Sequence, residues 1–302
     1  MAHTAAARPP PGADQEGTME TKNVAIVGIE NTHATDIVRY LNEERAADLP
    51  VRISALVAGE VERTRELAEL GAITRIVADP AELLGAVDAV IVTTRDGRLH
   101  RAQAVPFLEA GTPVWVDKPL ATTVADAEAI LAAAARGGTA VTSSSALRWL
   151  LDTAAVADDL RTLGPLQALT VSGPADAASP HGGLFFYGIH HADLAQHLLP
   201  GQAEGLEVEQ TEGRVVARFR VGDVPVVLDF VRPEGDAAVP FHVTAVGAGG
   251  AVERDIEVGP GYVRPGVDAF ARMLLRGETP VPAAQLREPI AVLEQITRTL
   301  PR

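Results

Sequence analysis

The 302-residue sequence contains no cysteine and only two lysines. The absence of cysteine excludes disulfide bonds, thiolate zinc sites and a cysteine nucleophile, and it leaves the redox compartment undetermined. Lys and Arg total 26, so 24 of the basic residues are arginines and Lys22 and Lys118 are exceptions. A buried lysine ammonium can lose its proton, whereas an arginine keeps its charge. Lys118 is therefore a candidate for chemistry that an arginine would not perform.

The sequence also lacks an excess of positive charge and any long apolar run. Its formal net charge is -14, which argues against nucleic acid or an anionic membrane as the main partner, because phosphate binding needs clustered Lys and Arg. No candidate for a membrane span is found, since no run of about 18 apolar residues occurs. The 47% of hydrophobic and 22% of charged residues are typical of a soluble globular protein, for which we expect a cytoplasmic location.

The first 21 residues differ in composition from the rest of the chain. They carry three consecutive prolines and lack the apolar segment of a signal peptide. We expect residues 1–21 to be a disordered leader, with Met19 as an alternative start of translation. A chain of this length predicts two further domains, which we place at residues 22–145 and 146–302.

Short apolar runs alternate with amphipathic stretches from residue 23 onwards, a pattern typical of parallel βαβ units. A helix is predicted after each of the first five runs, one of them starting at Asp79 and Pro80. The pattern predicts a Rossmann domain, that is, a doubly wound parallel sheet. Its six strands are predicted over residues 23–28, 51–58, 73–77, 87–94, 113–117 and 139–144.

The second half of the chain has a different pattern. Apolar and polar residues alternate through short turns over residues 206–233, which predicts an antiparallel meander, and residues 241–259 predict a further hairpin. We therefore expect an α+β domain with an open, largely antiparallel sheet. Its helices are predicted over residues 147–164, 266–277 and 283–300.

The segment VTTRDGRLHRAQAVPFLEAGTPVWVDKPLATTVADAEAIL (92–131) and two later segments together resemble the Gfo/Idh/MocA family of oxidoreductases, and the resemblance extends over residues 23–302. The second segment is GGLFFYGIHHADLAQHLL (182–199), and the third is DAFARMLLRGETPVPAAQLREPIAVLEQI near the C-terminus. The first contains a Thr-Thr strand end, a downstream histidine and an Asp-Lys-Pro turn, formed by Thr93, Thr94, Asp96, His100 and Asp117-Lys118-Pro119.

The resemblance implies a fold, a cofactor and a reaction class. It implies NAD or NADP as the cofactor and a small-molecule substrate, namely a sugar, polyol or related metabolite that reacts at a hydroxyl or carbonyl group. It also implies a homodimer or homotetramer formed through the sheet of the second domain. No metal site is predicted.

Lys118 and His190 are the main catalytic candidates. Ligands of open parallel sheets bind beyond the carboxyl ends of the strands, which is where Lys118 is predicted to lie. The resemblance implies that Lys118 binds near the nicotinamide and assists proton transfer, and that His190 accepts the substrate hydroxyl proton, a task suited to an imidazole. The alternatives are a surface lysine in an ordinary turn and a core or helix-capping histidine.

Further substrate candidates surround His190 in the sequence. The resemblance implies an Asp four residues before the catalytic histidine, but this chain has Phe186 there, so that the neighbouring phenol of Tyr187 is a candidate replacement. His191 and Asp193 are weaker candidates. Arg148 would clamp an anionic substrate or, alternatively, form an ion pair at the surface.

The loop after the first strand departs from the glycine-rich pattern G-x-G-x-x-G, of which only Gly28 is retained. Glu30 replaces the second glycine and places a negative charge beside two phosphates. Asn31, Thr32 and His33 offer donors at the helix N-terminus. Glu60, after the second strand, would bind the ribose and would favour NAD over NADP.

These observations leave three functions open. The first is an NAD(P)-dependent oxidoreductase, and the second is a relative that has lost hydride transfer and catalyses elimination, isomerisation or cyclisation. The third is a ligand-binding subunit without catalysis. The predicted cofactor-binding residues are Gly28, Glu30, Asn31, Thr32, His33, Glu60, Thr93, Thr94, Asp96, His100, Asp117 and Lys118.

Overall fold

The computed structural model describes residues 20–235 and 237–300. The predicted leader, residues 1–21, lies outside the described residues except for its last two positions. The first sheet has six parallel strands in the order β3-β2-β1-β4-β5-β6, which confirms the doubly wound topology. The strands are β1 (Lys22–Val27), β2 (Val51–Val57), β3 (Arg75–Val77), β4 (Ala89–Val92), β5 (Val114–Val116) and β6 (Val141–Thr142).

An α-helix is present in four of the five connections between consecutive strands of this sheet. The helix predicted at Asp79 is a single 3₁₀ turn, Pro80–Leu83, because Leu84 is extended and Gly85 adopts a φ of 68° immediately after it. Asp79 caps that turn as expected for its residue type. The helices are α1 (Thr32–Arg39), α2 (Val61–Gly71), α3 (His100–Glu109) and α4 (Val124–Gly137).

The second sheet has six strands in the order β12-β11-β7-β10-β9-β8. The predicted meander and hairpin are both present, and four of the five strand pairs are antiparallel. The pairing of β7 with β10 is parallel, so the sheet is mixed. The strands are β7 (Leu166–Pro174), β8 (Ala203–Thr211), β9 (Arg214–Val221), β10 (Val224–Val231), β11 (Phe241–Gly247) and β12 (Gly250–Ile256).

Four helices belong to the second half of the chain: α5 (Leu151–Leu160), α6 (Gly188–Leu198), α7 (Arg264–Arg276) and α8 (Ala283–Thr299). Helix α6 lies against β7 and β10 and brings the GIHHADL segment to the end of the first sheet. Within the described residues, no helix combines the length and the apolar composition needed to cross a membrane.

Helix α7 returns to the first half of the chain. Its buried residues share a hydrophobic core with β1, β2 and α1, and the ring of Phe270 lies 5.5 Å from that of Trp115 on β5. Asp268 accepts a hydrogen bond from Tyr40 and pairs with Arg45, both just beyond α1. The domain boundary at residue 145 therefore stays a prediction, because α7, which comes after that boundary in the sequence, covers part of the first sheet.

Candidate active site

Lys118 lies beyond the carboxyl end of β5 and is only 9% exposed. Its Nζ donates to the carbonyl oxygen of Phe186 at 3.3 Å and lies 4.7 Å from the centre of the Phe186 ring. Burial lowers the pKa of Lys118, Asp117 opposes that shift and Arg95 adds to it. The ammonium of Lys118 is therefore shielded from solvent and loses its proton more easily than the ammonium of a surface lysine.

His190 lies on the first turn of α6, on the opposite side of the cleft from the first sheet, and is 6% exposed. Its Nδ1 is 2.6 Å from Oγ of Ser145, a fully buried residue that also accepts the N–H of Leu147. Burial, followed by the charge of Lys118, lowers the pKa of His190 well below its usual range. His190 is thus neutral, and its partner is a hydroxyl instead of a carboxylate.

Tyr187 lies between these two groups. Its ring centre is 5.7 Å from Nζ of Lys118 and 5.7 Å from the ring of His190, and the side chain is 44% exposed. The structure thus brings the three predicted catalytic residues together. Phe186, at the position where the family resemblance implied an Asp, meets the ring of Tyr187 edge to face and covers Lys118.

Arg148 does not face a substrate. All five of its N–H groups have protein partners, and two of these partners are the carboxylate oxygens of Asp193 at 2.9 and 3.1 Å. Nη1 contacts Gln285 at 2.8 Å and His197 at 3.0 Å. Arg148 thus forms the ion pair that was its alternative role, and its partner is Asp193. The pair is buried and does not lie at the surface.

His191 points away from the cleft. It is fully buried between the rings of Phe230 and Phe241, at 4.7 and 5.4 Å. Neither ring nitrogen has a hydrogen-bond partner among the described residues, and burial lowers the pKa to about 4. His191 is therefore a neutral core residue, adjacent in sequence to His190 but in different surroundings.

The predicted residues around β4 connect two loops. The ring nitrogens of His100 lie 2.7 Å from the carbonyl oxygens of Thr94 and Pro119, so that this buried imidazole ties the end of β4 to the turn after β5. Asp96 caps the following turn and pairs with Arg98. The hydroxyl of Thr93 donates to the carbonyl oxygen of Gly28, which joins β4 to the loop after β1.

The side chains of the loop after β1 contact the loops after β4 and β5 at the same edge of the sheet. The carboxylate of Glu30 accepts the N–H of Arg95 at 2.7 Å, and Asn31 donates to Asp117 at 3.2 Å. Glu60 accepts the N–H groups of Glu62 and Arg63 and so caps α2. The carboxylate that was expected to bind the ribose is therefore engaged at the start of this helix.

His33 occupies the position of the third glycine and is buried. Its Nδ1 lies 2.8 Å from Oδ2 of Asp117, and its Nε2 lies 2.7 Å from the phenolic oxygen of Tyr262. Burial would raise the pKa of Asp117, but His33 and Lys118 together lower it to about 2. Burial raises the pKa of Tyr262 to about 12, with the charge of Asp117 adding to it.

Sequence reasoning missed Ser145 and Tyr262. Ser145 follows the end of β6, so its place at the carboxyl edge of the sheet was available from the predicted strand. Tyr262 is one of three tyrosines in the chain, but it lies 229 positions from His33 and no local pattern connects the two.

Comparison with known proteins agrees with this geometry. The pattern of the Gfo/Idh/MocA family, described as "Oxidoreductase family, NAD-binding Rossmann fold", matches residues 22–145. Inositol 2-dehydrogenase 1 of Saccharopolyspora erythraea is 28% identical over 222 residues, which cover 67% of this chain and 62% of that protein. Inositol 2-dehydrogenase of Rhodococcus erythropolis is 33% identical over 117 residues, which cover 38% of this chain and 32% of that protein.

Residues 22–145 thus match an NAD-binding family of oxidoreductases, and the rest of the chain lies outside the matched range. The matches span about a third and about three fifths of the length of these two curated relatives. The crystal structure of GenD2 from gentamicin A biosynthesis, in complex with NAD, superposes with a TM-score of 0.77 at 18% identity. That superposition covers 97% of this chain and 98% of GenD2, and at this identity it shows the shared fold.

The turn after β1 fits the dinucleotide that Gfo/Idh/MocA proteins bind. Gly28 has a φ of 81°, and a Cβ there would meet Oγ1 of Thr94 at 2.0 Å, so the backbone passes close to β4. Oγ1 of Thr94 is buried without a partner among the described residues. In the first turn of α1, the side-chain oxygen of Asn31 accepts the N–H of His33 and the carbonyl oxygen of Asn31 accepts that of Ala34. The departures from the family pattern are His33 and Glu30, whose carboxylate accepts the N–H of Arg95.

Proposed function

We propose that the protein is an NAD(P)-dependent oxidoreductase that acts on a hydroxyl or carbonyl group of a polyol, sugar or related metabolite. The observation that carries the proposal is the buried Lys118 beyond the end of β5, with His190 and Tyr187 around it. NAD is the preferred cofactor, because the matched family pattern is an NAD-binding one. The residues that would hold it are Gly28, Asn31, Thr32, Thr94 and, at the nicotinamide end, Lys118.

The residues of the chain would handle the proton and the oxygen, while the bound nicotinamide would accept or supply the hydride. The ammonium of Lys118 would hydrogen-bond the substrate oxygen and stabilise the negative charge that develops as its proton leaves. Ser145 can accept Nδ1–H of His190, which leaves Nε2 as a hydrogen-bond acceptor facing the substrate. Tyr187 would orient a second hydroxyl.

The substrate class rests on the relatives and on one groove. Both curated relatives are inositol 2-dehydrogenases. A groove of about 470 Å³ lies beside Phe186 and Tyr187, and Asp176 and Ser179 are among its polar residues. A second space of about 740 Å³ lies at the opposite edge of the first sheet, beside Asn23 and Pro50, and is too far from Lys118 to hold the substrate.

The direct test is dinucleotide binding followed by turnover. Purified protein is denatured, released dinucleotide is measured by absorbance, and NADH and NADPH are titrated by fluorescence. We expect binding of NADH at micromolar concentration and reduction of NAD by at least one isomer of inositol. If the protein neither retains a dinucleotide nor binds an added one, the oxidoreductase is excluded.

A second candidate is a redox-neutral enzyme that uses the same residues for elimination, isomerisation or cyclisation. It is favoured by Glu30, which brings a carboxylate to the phosphate position, and by Phe186, which removes the expected acid. Turnover that consumes a nicotinamide in proportion to product would exclude it. A ligand-binding subunit is the remaining alternative, and measurable turnover of either kind would exclude that.

We also propose that the protein forms a homo-oligomer in the cytoplasm, through the outer face of the second sheet. That face carries ion pairs between neighbouring strands, such as Arg214 with Asp229 and Arg218 with Glu209, and leaves the aliphatic side chain of Val227 between them. Light scattering after size exclusion would show a dimer or tetramer, and a monomer at micromolar concentration would contradict the proposal.

A further inference from the structure

The cleft contains a second histidine with a better partner than His190. His33 lies between the carboxylate of Asp117 and the phenol of Tyr262, at 2.8 and 2.7 Å. His33 and Asp117 are buried and Tyr262 is partly exposed, so the chain of three groups runs from the interior towards the surface, where Tyr262 is close enough to Asp117 and Tyr187 for their charges to act on its phenol. The rings of His33 and Tyr262 meet edge to face, with centres 5.6 Å apart.

The direction of each hydrogen bond follows from the chemistry of the groups. An ionised carboxylate only accepts, so Nδ1 of His33 carries the proton that is shared with Asp117. In the neutral imidazole Nε2 is then an acceptor, and the hydroxyl of Tyr262 donates to it. The phenolic oxygen keeps its lone pairs, which can accept a hydrogen bond from a further hydroxyl group.

The two histidines differ in their ability to hold a positive charge. A proton on Nε2 of His33 would be stabilised by the carboxylate 2.8 Å from Nδ1, whereas His190 has a serine hydroxyl as its partner. The ammonium of Lys118 opposes a charge on His190. The Asp–His pair that would stabilise an imidazolium is thus found at His33.

We propose that Tyr262, His33 and Asp117 form a proton relay for the substrate hydroxyl, with Tyr262 as the catalytic residue that contacts the substrate. The relay rests on the proposed function. During oxidation, the hydroxyl proton passes to the phenolic oxygen while the proton of Tyr262 moves to Nε2 of His33, and the two electrons leave as the hydride that the nicotinamide accepts. In the reverse direction the same groups return the proton.

Nitrogen NMR tests the relay without turnover. Protein with ¹⁵N-labelled histidine is measured at neutral pH, and His33 is assigned by the resonance lost in His33→Gln. We expect the tautomer with the proton on Nδ1, and we expect Tyr262→Phe to move the Nε2 resonance because a donor is lost. A proton resident on Nε2 would overturn the relay, since that nitrogen would then be unable to accept one from Tyr262.

Kinetics with NAD and myo-inositol separate the relay from the proposed function. We expect Tyr262→Phe to lower kcat by about 100-fold or more while the Kd for NADH stays the same. Tyr40→Phe is the matched control, because its hydroxyl bonds to Asp268 outside the cleft and its loss should leave kcat near the wild-type value. An unchanged kcat in Tyr262→Phe would overturn the relay and leave the oxidoreductase standing. A wild-type protein that binds no dinucleotide would remove the oxidoreductase and, with it, the relay.

Discussion

The turn after β5 and the loop after β1 lie on the same edge of one sheet, yet they differ in how far they keep the pattern of the family. The turn retains Asp117, Lys118 and Pro119, whereas the loop keeps Gly28 and replaces both later glycines with Glu30 and His33. The loop side chains bond along this edge to Arg95 after β4 and to Asp117 after β5. The comparison teaches that two glycine positions of the loop now carry side chains that bond to the loops after β4 and β5.

The largest effect should come from the turn. Lys118→Ala removes the buried ammonium from the substrate oxygen, and we expect kcat to fall by roughly 100- to 10,000-fold. Lys22→Ala is the matched control, since Lys22 forms a half-exposed pair with Asp88 at 3.6 Å that contributes little. Steady-state kinetics with circular dichroism of both variants check the result. Equal losses in the two variants would contradict a special role for Lys118.

The retained glycine of the loop should matter for folding. Gly28→Ala places a Cβ 2.4 Å from the backbone nitrogen of Thr94 at a positive φ, and we expect the free energy of unfolding to fall by about 3 kcal/mol or more. Gly213→Ala is the control, because it has a φ of 75° with no atom within 4 Å of the added Cβ, and it should cost about 1 kcal/mol. Urea unfolding measures both. Similar losses would mean that the loop does not pack against β4 as described.

The burial of His191 in the core beside α6 gives a pH test. His191 takes up its proton near pH 6.5 when unfolded but only near its pKa of about 4 when folded, so stability is lost as the pH falls between these values. The expected loss is about 3 kcal/mol. His191→Leu should remove that part of the pH dependence, while the neighbouring His190 still contributes in the same direction. Unfolding curves at several pH values measure this. If the free energy of unfolding changes with pH to the same extent in His191→Leu and in the wild type, His191 is hydrated in the folded protein.

The smallest effect should come from restoring the loop. Glu30→Gly returns the second glycine and removes a carboxylate from beside the phosphates, and we expect NADH to bind up to about 10-fold more tightly. Glu30→Gln separates charge from bulk and should give part of that gain. Fluorescence titration of NADH measures both variants. Weaker binding in Glu30→Gly would show that Glu30 and Arg95 support the cofactor site.

Local patterns predicted much of this fold. The order of the six parallel strands and the place of Lys118 at a strand end followed from apolar runs and turn residues. The parallel pairing of β7 with β10 did not, because pairing between strands more than 50 residues apart depends on the packing of α6 beneath them. The contact of Tyr262 with His33 was hidden for the same reason, since it requires the chain to return through α7.

Side-chain partners were harder to predict than positions. Arg148 was a candidate for substrate binding, yet Asp193 on α6 engages two of its nitrogens, and His197 and Gln285 engage the third. His190 and His191 differ by one position in sequence, but the turn of the helix directs His190 to Ser145 and Tyr187 and places His191 between Phe230 and Phe241. Helical periodicity indicates that such neighbours diverge, but it does not indicate which of them faces the cleft.

The return of α7 to the first sheet has a mechanical consequence. Because α7 is covalently part of the second half and shares a core with β1 and β2, the chain crosses from one half to the other twice. A single hinge would not let the halves swing apart unless α7 left that core. Opening of the cleft must then be carried by smaller shifts of loops such as the one that holds Tyr262. The same double connection would couple the unfolding of both halves into one transition.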